Sequence, residues 1–268
     1  MNSFKPSSIK GFFLRILRLL GALALIYCSM VFYLALTERQ IAFPRAITHK
    51  EANAAIQGKA KQISCTLEDG NILSGWQLGS DNKSILLYFP DTDEDGAQFL
   101  AEAGENAQST LVTFNYRGSG NNKGTPSSEN FLDDARQITA CASQITGRAP
   151  EIVAGRGIGA ILAAEQLKYT KKSSLFLIDP ISSIADKINE KYRLLYPKFL
   201  IRTKVDMPDL NEIAIPEQVI LIQDRQNRQE SNLIFEKEHP NFKKIKAQGS
   251  PLSNKLNQAL QHLTAQTR

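Results

Sequence analysis

An acidic loop carries oxygen ligands at the spacing of a calcium-binding loop. Asp91, Asp93 and Asp95 alternate and precede Gly96, and Glu102 follows after five further residues. Carboxylates at these intervals wrap around Ca²⁺ in helix–loop–helix sites, where the glycine permits a sharp turn. Here a predicted strand precedes the loop, so the acids could instead cap the helix that follows. The loop therefore predicts a calcium site as one of two alternatives.

A glycine-rich turn is the second candidate for chemistry. Gly155, Gly157 and Ala160 follow a predicted strand and begin a helix, and Asp179 ends the next predicted strand. This is the local form of a dinucleotide site, in which glycines admit the pyrophosphate to the helix N-terminus and the acid binds a ribose. Such a turn normally opens its domain, whereas several predicted strands precede this one. A close-packed structural turn is the alternative.

A basic segment could bind a membrane surface. Residues 187–204, KINEKYRLLYPKFLIRTK, carry six basic residues against Glu190 alone, interleaved with Tyr192, Tyr196 and Phe199. A basic, aromatic helical stretch can lie on an anionic lipid surface. An ordinary helix with a solvated face is the alternative.

The elements that must position these residues alternate along the chain. Strands at 62–67 and 72–78 flank Asp69 and Gly70, a pair typical of a tight hairpin turn. Further strands are predicted at 84–89, 110–115, 151–154, 174–178, 219–223 and 243–246, and helices near 97–107, 129–145, 158–169, 230–236 and 252–265. This alternation, with continuously apolar strands, predicts an α/β fold: a mostly parallel sheet with helices on both faces and a small helical insertion at 181–216.

The N-terminal region predicts a membrane anchor. Residues 19–37 carry no charge and, at about 1.5 Å per residue, are long enough to cross a bilayer core as a helix. The run is longer than the apolar part of a cleavable signal peptide usually is. Residues 1–18 form a basic tail, and residues 38–60 connect the anchor to a domain at 61–268. The basic flank predicts a cytoplasmic tail and an exoplasmic domain, periplasmic in a Gram-negative cell.

The net charge of +5 belongs mainly to this tail. Four of the 32 Lys and Arg residues lie in residues 1–18, which leaves 28 against 27 Asp and Glu in the remaining chain. A nearly neutral domain excludes a basic nucleic-acid-binding module, so no nucleic-acid partner is expected. The expected partners are the membrane, through the N-terminal helix, and a lipid or a protein.

The cysteines give little information by sequence position. Cys28 lies within the apolar run, whereas Cys65 and Cys141 lie in the predicted domain. Two cysteines far apart in sequence do not define a disulfide framework. Two isolated buried thiols are predicted, with a pairing in an oxidising compartment as the alternative.

Two segments carry a family resemblance. Residues 111–137, LVTFNYRGSGNNKGTPSSENFLDDARQ, contain a strand, a Tyr-Arg-Gly-x-Gly turn, a Gly-x-Pro loop and a helix, and residues 151–167, EIVAGRGIGAILAAEQL, contain a strand, a glycine-rich turn and a helix. Together they resemble the α/β-hydrolase superfamily, in particular its membrane-anchored serine-hydrolase-like branch. The resemblance covers about residues 60–266, and it implies an α/β-hydrolase fold in which the second segment holds the nucleophile elbow.

The resemblance also implies a degenerate catalytic triad. Gly157 stands where the elbow needs a nucleophile, Asn227 where the acid belongs, and Ser250 where the histidine belongs. The oxyanion loop holds Pro90, which has no N–H, and Asp91, which would repel a developing negative charge. We therefore expect a binding or scaffold role without catalysis, and no cofactor unless calcium binds.

Two other functions stay open. A serine hydrolase, esterase or peptidase, with a non-standard site would use Ser182 or Ser183 at the start of the insertion. A dinucleotide-binding protein would use the turn at Gly155–Ala160.

Overall fold

The computed structural model describes residues 6–80, 83–103, 108–170, 173–210, 219–223, 243–246 and 251–266. Helices lie at Pro6–Ala42 (α1), Lys50–Ile56 (α2), Gly96–Ala103 (α3), Ser128–Thr146 (α4), Gly159–Gln166 (α5), Ile184–Tyr192 (α6) and Leu252–Gln266 (α7), with a 3-10 turn at Lys198–Leu200. Strands lie at Lys61–Thr66 (β1), Ile72–Leu78 (β2), Ile85–Phe89 (β3), Thr110–Phe114 (β4), Ile152–Arg156 (β5), Ser174–Ile178 (β6), Val219–Gln223 (β7) and Lys243–Lys246 (β8).

Within the described residues these strands form one sheet of order β1-β2-β4-β3-β5-β6-β7-β8. Strand β2 is antiparallel to both β1 and β4, and every other neighbouring pair is parallel. The predicted mostly parallel α/β sheet is confirmed. The predicted helix at 230–236 lies outside the described residues.

The central strands are apolar on both sides because each face of the sheet is covered. In β3, Leu87 and Phe89 belong to one hydrophobic cluster, and Leu86 and Tyr88 belong to the cluster on the opposite face. Burial on both faces explains why β3, β5 and β6 are continuous apolar runs rather than alternating ones.

Helix α1 is longer than the uncharged run that predicted it. Its residues Lys10–Ala42 are long and apolar enough to cross a membrane, and large side chains such as Leu25 and Phe32 are more than half exposed. The last turns instead pack on the domain, where Leu34 and Glu38 are buried. The first residues of the predicted connector are therefore a helical part of the domain.

The rest of the connector is also fixed to the domain. The Ala46 N–H donates to the Ser119 hydroxyl, and the His49 N–H donates to Asp95. The His49 side chain caps α2 by accepting from the Ala52 N–H. No flexible tether therefore separates α1 from the sheet.

A disulfide joins Cys65 in β1 to Cys141 in α4. The prediction of two isolated thiols is wrong, because α4 crosses the sheet beside β1 and brings the two Cα atoms to 5.7 Å, although 76 residues separate them in sequence. Cys28, exposed on α1, is the free cysteine of the described residues.

Reduction should destabilise the domain. Removing a cross-link of this sequence separation lowers the free energy of unfolding by about 2–5 kcal/mol, which a denaturant titration of the detergent-solubilised chain measures with and without reductant. Thiol labelling of the denatured chain should find Cys28 alone before reduction and all three cysteines afterwards. Three reactive thiols in the unreduced chain would refute the pairing, and a Cys28→Ser variant controls the count.

A buried charge cluster fixes the Tyr-Arg-Gly-x-Gly turn. The Arg117 guanidinium binds Asp134 of α4 with two nitrogens and Asp69 of the β1–β2 turn with a third, at 2.7 Å. Arg117 and Asp134 are buried, whereas Asp69 is half exposed. The Asn71 N–H and the Arg117 guanidinium lower the pKa of Asp69 from 3.8 to about 2.

This pKa shift predicts an acid-dependent contribution to stability. A carboxyl with a depressed folded pKa stabilises the protein above its unfolded pKa, and the contribution is lost as pH falls through the folded value. Asp69→Asn should therefore unfold at lower urea than the unchanged chain at neutral pH, and the difference should vanish between pH about 4 and about 2. Glu68→Gln is the control, because its contact with Arg136 is exposed. A pH-independent difference would contradict the assignment.

Candidate functional site

The turn after β5 keeps the backbone of a nucleophile elbow. Strand β5 ends at Arg156, Gly157 at the tip has φ of +58°, and α5 begins at Gly159. A Cβ at Gly155 would clash with the Gly159 carbonyl, and a Cβ at Gly159 would clash with the Phe89 carbonyl. The two glycines thus permit the close strand–helix approach of an elbow, while the tip residue carries no nucleophile.

The carboxylate of Asp91 lies on the donors that would form an oxyanion hole. Its Oδ1 accepts from the Thr92 N–H at 2.9 Å and from the Ile158 N–H at 3.2 Å. In α/β-hydrolases the hole combines the N–H after the nucleophile with an N–H from the loop after the third strand. Ile158 follows Gly157, and Thr92 belongs to the loop after β3. In this chain an Asp91 carboxylate oxygen therefore lies on the two donors that would bind the oxyanion in an α/β-hydrolase.

Lys187 from the insertion balances this buried charge. Its Nζ lies 3.3 Å from Oδ1 and 3.5 Å from Oδ2 of Asp91. Asp91 is fully buried and Lys187 about one-third exposed. The ion pair links α6 to the elbow and to the loop after β3. The sequence predicted Asp91 as a calcium ligand or as a charge that repels an oxyanion, whereas the structure shows its carboxylate hydrogen-bonded to the Thr92 and Ile158 N–H groups.

A second buried ion pair lies beside the elbow. Arg156 binds Glu94 at 2.5 Å and Glu102 at 3.1 Å. The other oxygen of Glu94 accepts from the Tyr88 hydroxyl and the Asp91 N–H. Burial raises the pKa of Glu94, while Arg156 acts in the opposite direction. Burial also raises the pKa of Tyr88, so its hydroxyl stays a hydrogen-bond donor.

The proposed calcium ligands do not come together. Asp91 is bound as described, Glu102 contacts Arg156, and Asp93 is exposed. Asp95 accepts from the backbone of His49 and from two asparagine side chains. Across the described ranges no group of three or more His, Cys, Asp or Glu residues could hold a metal ion. The spacing is correct but the carboxylates already have donors, so calcium binding stays a prediction that would require the loop to rearrange.

The turn at Gly155–Ala160 has no room for a pyrophosphate. Protein backbone fills the space at Gly155 and Gly159, and the Ile158 N–H near the start of α5 already donates to Asp91. That carboxylate would also repel a phosphate. Asp179 is buried after β6 with φ of +43°. The geometry therefore disfavours the dinucleotide alternative.

Of the two alternative serine nucleophiles, Ser183 has a structural role. Ser183 caps α6, where its hydroxyl accepts from the Asp186 N–H and donates to the Asp186 carboxylate. Ser182 is half-buried, and its carbonyl accepts from the Met207 N–H. Neither serine is hydrogen-bonded to a histidine in the described part of the chain. Asn227 and Ser250 lie outside the described residues, so the predicted acid and histidine positions are not described.

Sequence reasoning missed three residues at this site: Lys187, Arg156 and Glu94. Arg156 carried no usable sign, because the strand predicted at 151–154 ends before it, whereas the structure extends β5 to Arg156 and buries its charge. Lys187 carried none, since its partner Asp91 is distant in sequence.

Comparisons by sequence find a distant relative. No family model matches the chain. An uncharacterized protein of Mycobacterium tuberculosis is 25% identical over 180 residues, which cover 64% of this chain and 64% of that protein. The chain thus matches about 64% of the length of this curated relative.

The solved structures agree with the sheet topology. An alpha-beta hydrolase from Vibrio vulnificus superposes with a TM-score of 0.60 at 14% identity, over 99% of this chain and 94% of that one. An esterase from Pyrococcus furiosus superposes with a TM-score of 0.56 at 14% identity, over 84% and 94%. The chain has the α/β-hydrolase fold, as the resemblance implied.

Removing the Asp91 carboxylate should destabilise the domain. In Asp91→Ala the partly exposed Lys187 ammonium and two N–H groups lose their acceptor, and each buried donor left unsatisfied costs about 1–3 kcal/mol. Urea unfolding of the full chain in detergent, followed by circular dichroism, measures the change. Asp93→Ala, in the same loop but exposed, should stay within about 0.5 kcal/mol. Equal midpoints for the two variants would contradict the role given to Asp91.

Proposed function

We propose that this chain is a single-pass membrane protein whose α/β-hydrolase-fold domain binds a partner and does not hydrolyse a substrate. The observation that carries the proposal is the position of Asp91. Its Oδ1 accepts hydrogen bonds from the Ile158 and Thr92 N–H groups, which are the donors that acyl transfer would need for its oxyanion.

The large contribution of oxyanion donors to catalysis supports the proposal. Losing one oxyanion donor alone typically lowers kcat about 10²–10³-fold. Here both donors are bound to an anion, and a negatively charged intermediate would have to displace Asp91 from them and from Lys187. Gly157 at the tip offers no side chain to attack a carbonyl. A substrate would meet neither a nucleophile nor a free hole.

The membrane topology is part of the same proposal. Helix α1 is long and apolar enough to span a bilayer, and four basic residues without an acid precede its apolar run. Basic residues flanking a span favour the cytoplasmic side. A disulfide in the domain fits an oxidising compartment. These features support a cytoplasmic tail and an exoplasmic domain.

The alternative function is hydrolysis of an ester or peptide at a non-standard site. The Pyrococcus protein is named as an esterase, but at 14% identity its activity does not transfer to this chain. This alternative would use Ser182 or Ser183 as the nucleophile, and the Ser183 hydroxyl already caps α6. No contact in the described residues favours this alternative over a binding role.

Labelling with a fluorophosphonate probe separates the two functions. The full chain in detergent should stay unlabelled, and an active serine esterase in the same tube confirms that the probe works. Labelling of the unchanged chain at one serine would overturn the proposal. Ser182→Ala and Ser183→Ala would then locate that serine.

Gly157→Ser is the matched variant, because it restores a hydroxyl at the tip of the elbow. It should also stay unlabelled, since the Ile158 and Thr92 N–H groups remain bound to Asp91. Labelling of Gly157→Ser would show that the carboxylate leaves the hole and would refute the argument from Asp91. A cooperative urea unfolding transition confirms that this variant is folded.

A further inference from the structure

We infer that the exposed surface formed by Lys191, Arg193, Leu194 and Phe199, here called the insertion surface, lies in the headgroup layer of an anionic phospholipid bilayer. This inference rests on the proposed function, because it requires that α1 crosses the membrane. It adds a second contact between the domain and the lipid, made by the insertion.

Glu38 fixes the insertion at the end of the apolar run. The uncharged run ends at Thr37, and Glu38 lies about 1.5 Å further along the helix axis. The Glu38 carboxylate accepts from the Tyr196 hydroxyl at 2.5 Å, and from the N–H groups of Arg202 at 2.8 Å and Thr203 at 2.7 Å. The segment from Tyr196 to Thr203 therefore lies at the level where α1 leaves the hydrocarbon.

The packing of α1 extends this contact toward the bilayer. Leu34 is buried and Val31 half-buried against the same hydrophobic cluster that contains Tyr196 and Ile201. Val31 lies about 10 Å from Glu38 along the helix axis, toward the N-terminus. Part of the domain thus packs beside residues that belong to the predicted span.

Two large apolar side chains flank Tyr196 and point away from the domain. Leu194 is 85% exposed and Phe199 is 84% exposed, whereas Tyr196 and Ile201 are buried. Fully exposed leucine and phenylalanine side chains gain free energy when an apolar layer removes them from water. At the height fixed by Glu38, the nearest apolar layer is the bilayer itself.

The charges of the insertion surface specify the kind of lipid. Lys187 is paired with the buried Asp91, and Lys198 with the half-exposed Asp186, so the charges of these two amines are already balanced by carboxylates. Lys191 and Arg193 are exposed, and both lie just before Leu194 in the chain. Basic residues beside exposed leucine and phenylalanine are the combination that binds an anionic interface.

Depth-dependent quenching tests the inference in the full chain. Trp76 is the single tryptophan, so Trp76→Phe gives a silent background for Phe199→Trp. The protein is reconstituted in vesicles of phosphatidylcholine and phosphatidylglycerol with brominated acyl chains. We expect quenching by bromines near the headgroup end, since interfacial side chains reach about 5–10 Å into this boundary.

Two further tryptophans make the result decisive. Tyr169→Trp is the matched control, because Tyr169 is exposed but lies between α5 and the amino end of β6, whereas the insertion follows the carboxyl end of β6, and it should not be quenched. Leu25→Trp reports the anchor and should be quenched by deep bromines. If Leu25→Trp is quenched while Phe199→Trp behaves like Tyr169→Trp, the insertion surface faces water or a protein and the inference is overturned. If Leu25→Trp is not quenched, the proposed anchor fails and the inference with it.

Charge reversal tests the preference for anionic lipid. Lys191→Glu/Arg193→Glu should lower the quenching of Phe199→Trp in vesicles with phosphatidylglycerol. Lys61→Glu/Lys83→Glu changes the same charge near the amino ends of β1 and β3, away from the insertion at the carboxyl end of β6, and should not lower it. Equal quenching in vesicles of phosphatidylcholine alone would overturn the anionic preference.

Discussion

One carboxylate oxygen, Asp91 Oδ1, joins the three parts of the domain that define its character. It accepts from the loop after β3 and from the elbow after β5, and it faces Lys187 of the insertion. This contact is possible because Gly155 and Gly159 let α5 approach the end of β3. A buried carboxylate is stable only with such donors around it, so the elbow, the loop and the insertion depend on one another.

The charged residues around the elbow contribute to cohesion. Arg156, Glu94 and Tyr88 form a buried hydrogen-bonded group directly beneath the turn, and Glu94 also holds the Asp91 backbone. Here ion pairs and hydrogen bonds within the protein surround the elbow backbone, and the binding role that we propose would use another surface of the domain.

The sheet could be predicted from the sequence, because strands buried on both faces are short continuous apolar runs and the Asp69–Gly70 pair marks the first turn. The site could be predicted only in part. Gly157 and Asp91 were identified by position, but the partners of Asp91 are 67 and 96 residues away. The Cys65–Cys141 disulfide could not be predicted for the same reason, since β1 and α4 come close only in the folded domain. The acidic loop matched a calcium spacing because spacing does not record which donors the fold supplies.

Helix α1 extends beyond the uncharged run that predicted the anchor. Glu38 ends that run, but glutamate is a good helix former, and its carboxylate accepts from four hydrogen-bond donors on the insertion, within a helix that reaches Ala42. If α1 is the membrane span that we propose, a domain joined to it by an unbroken helix would not swing on a tether. A change in the tilt of the span would then move the whole sheet with it. Encounters with partners would be restricted to a thin layer parallel to the membrane, a two-dimensional search in place of a three-dimensional one.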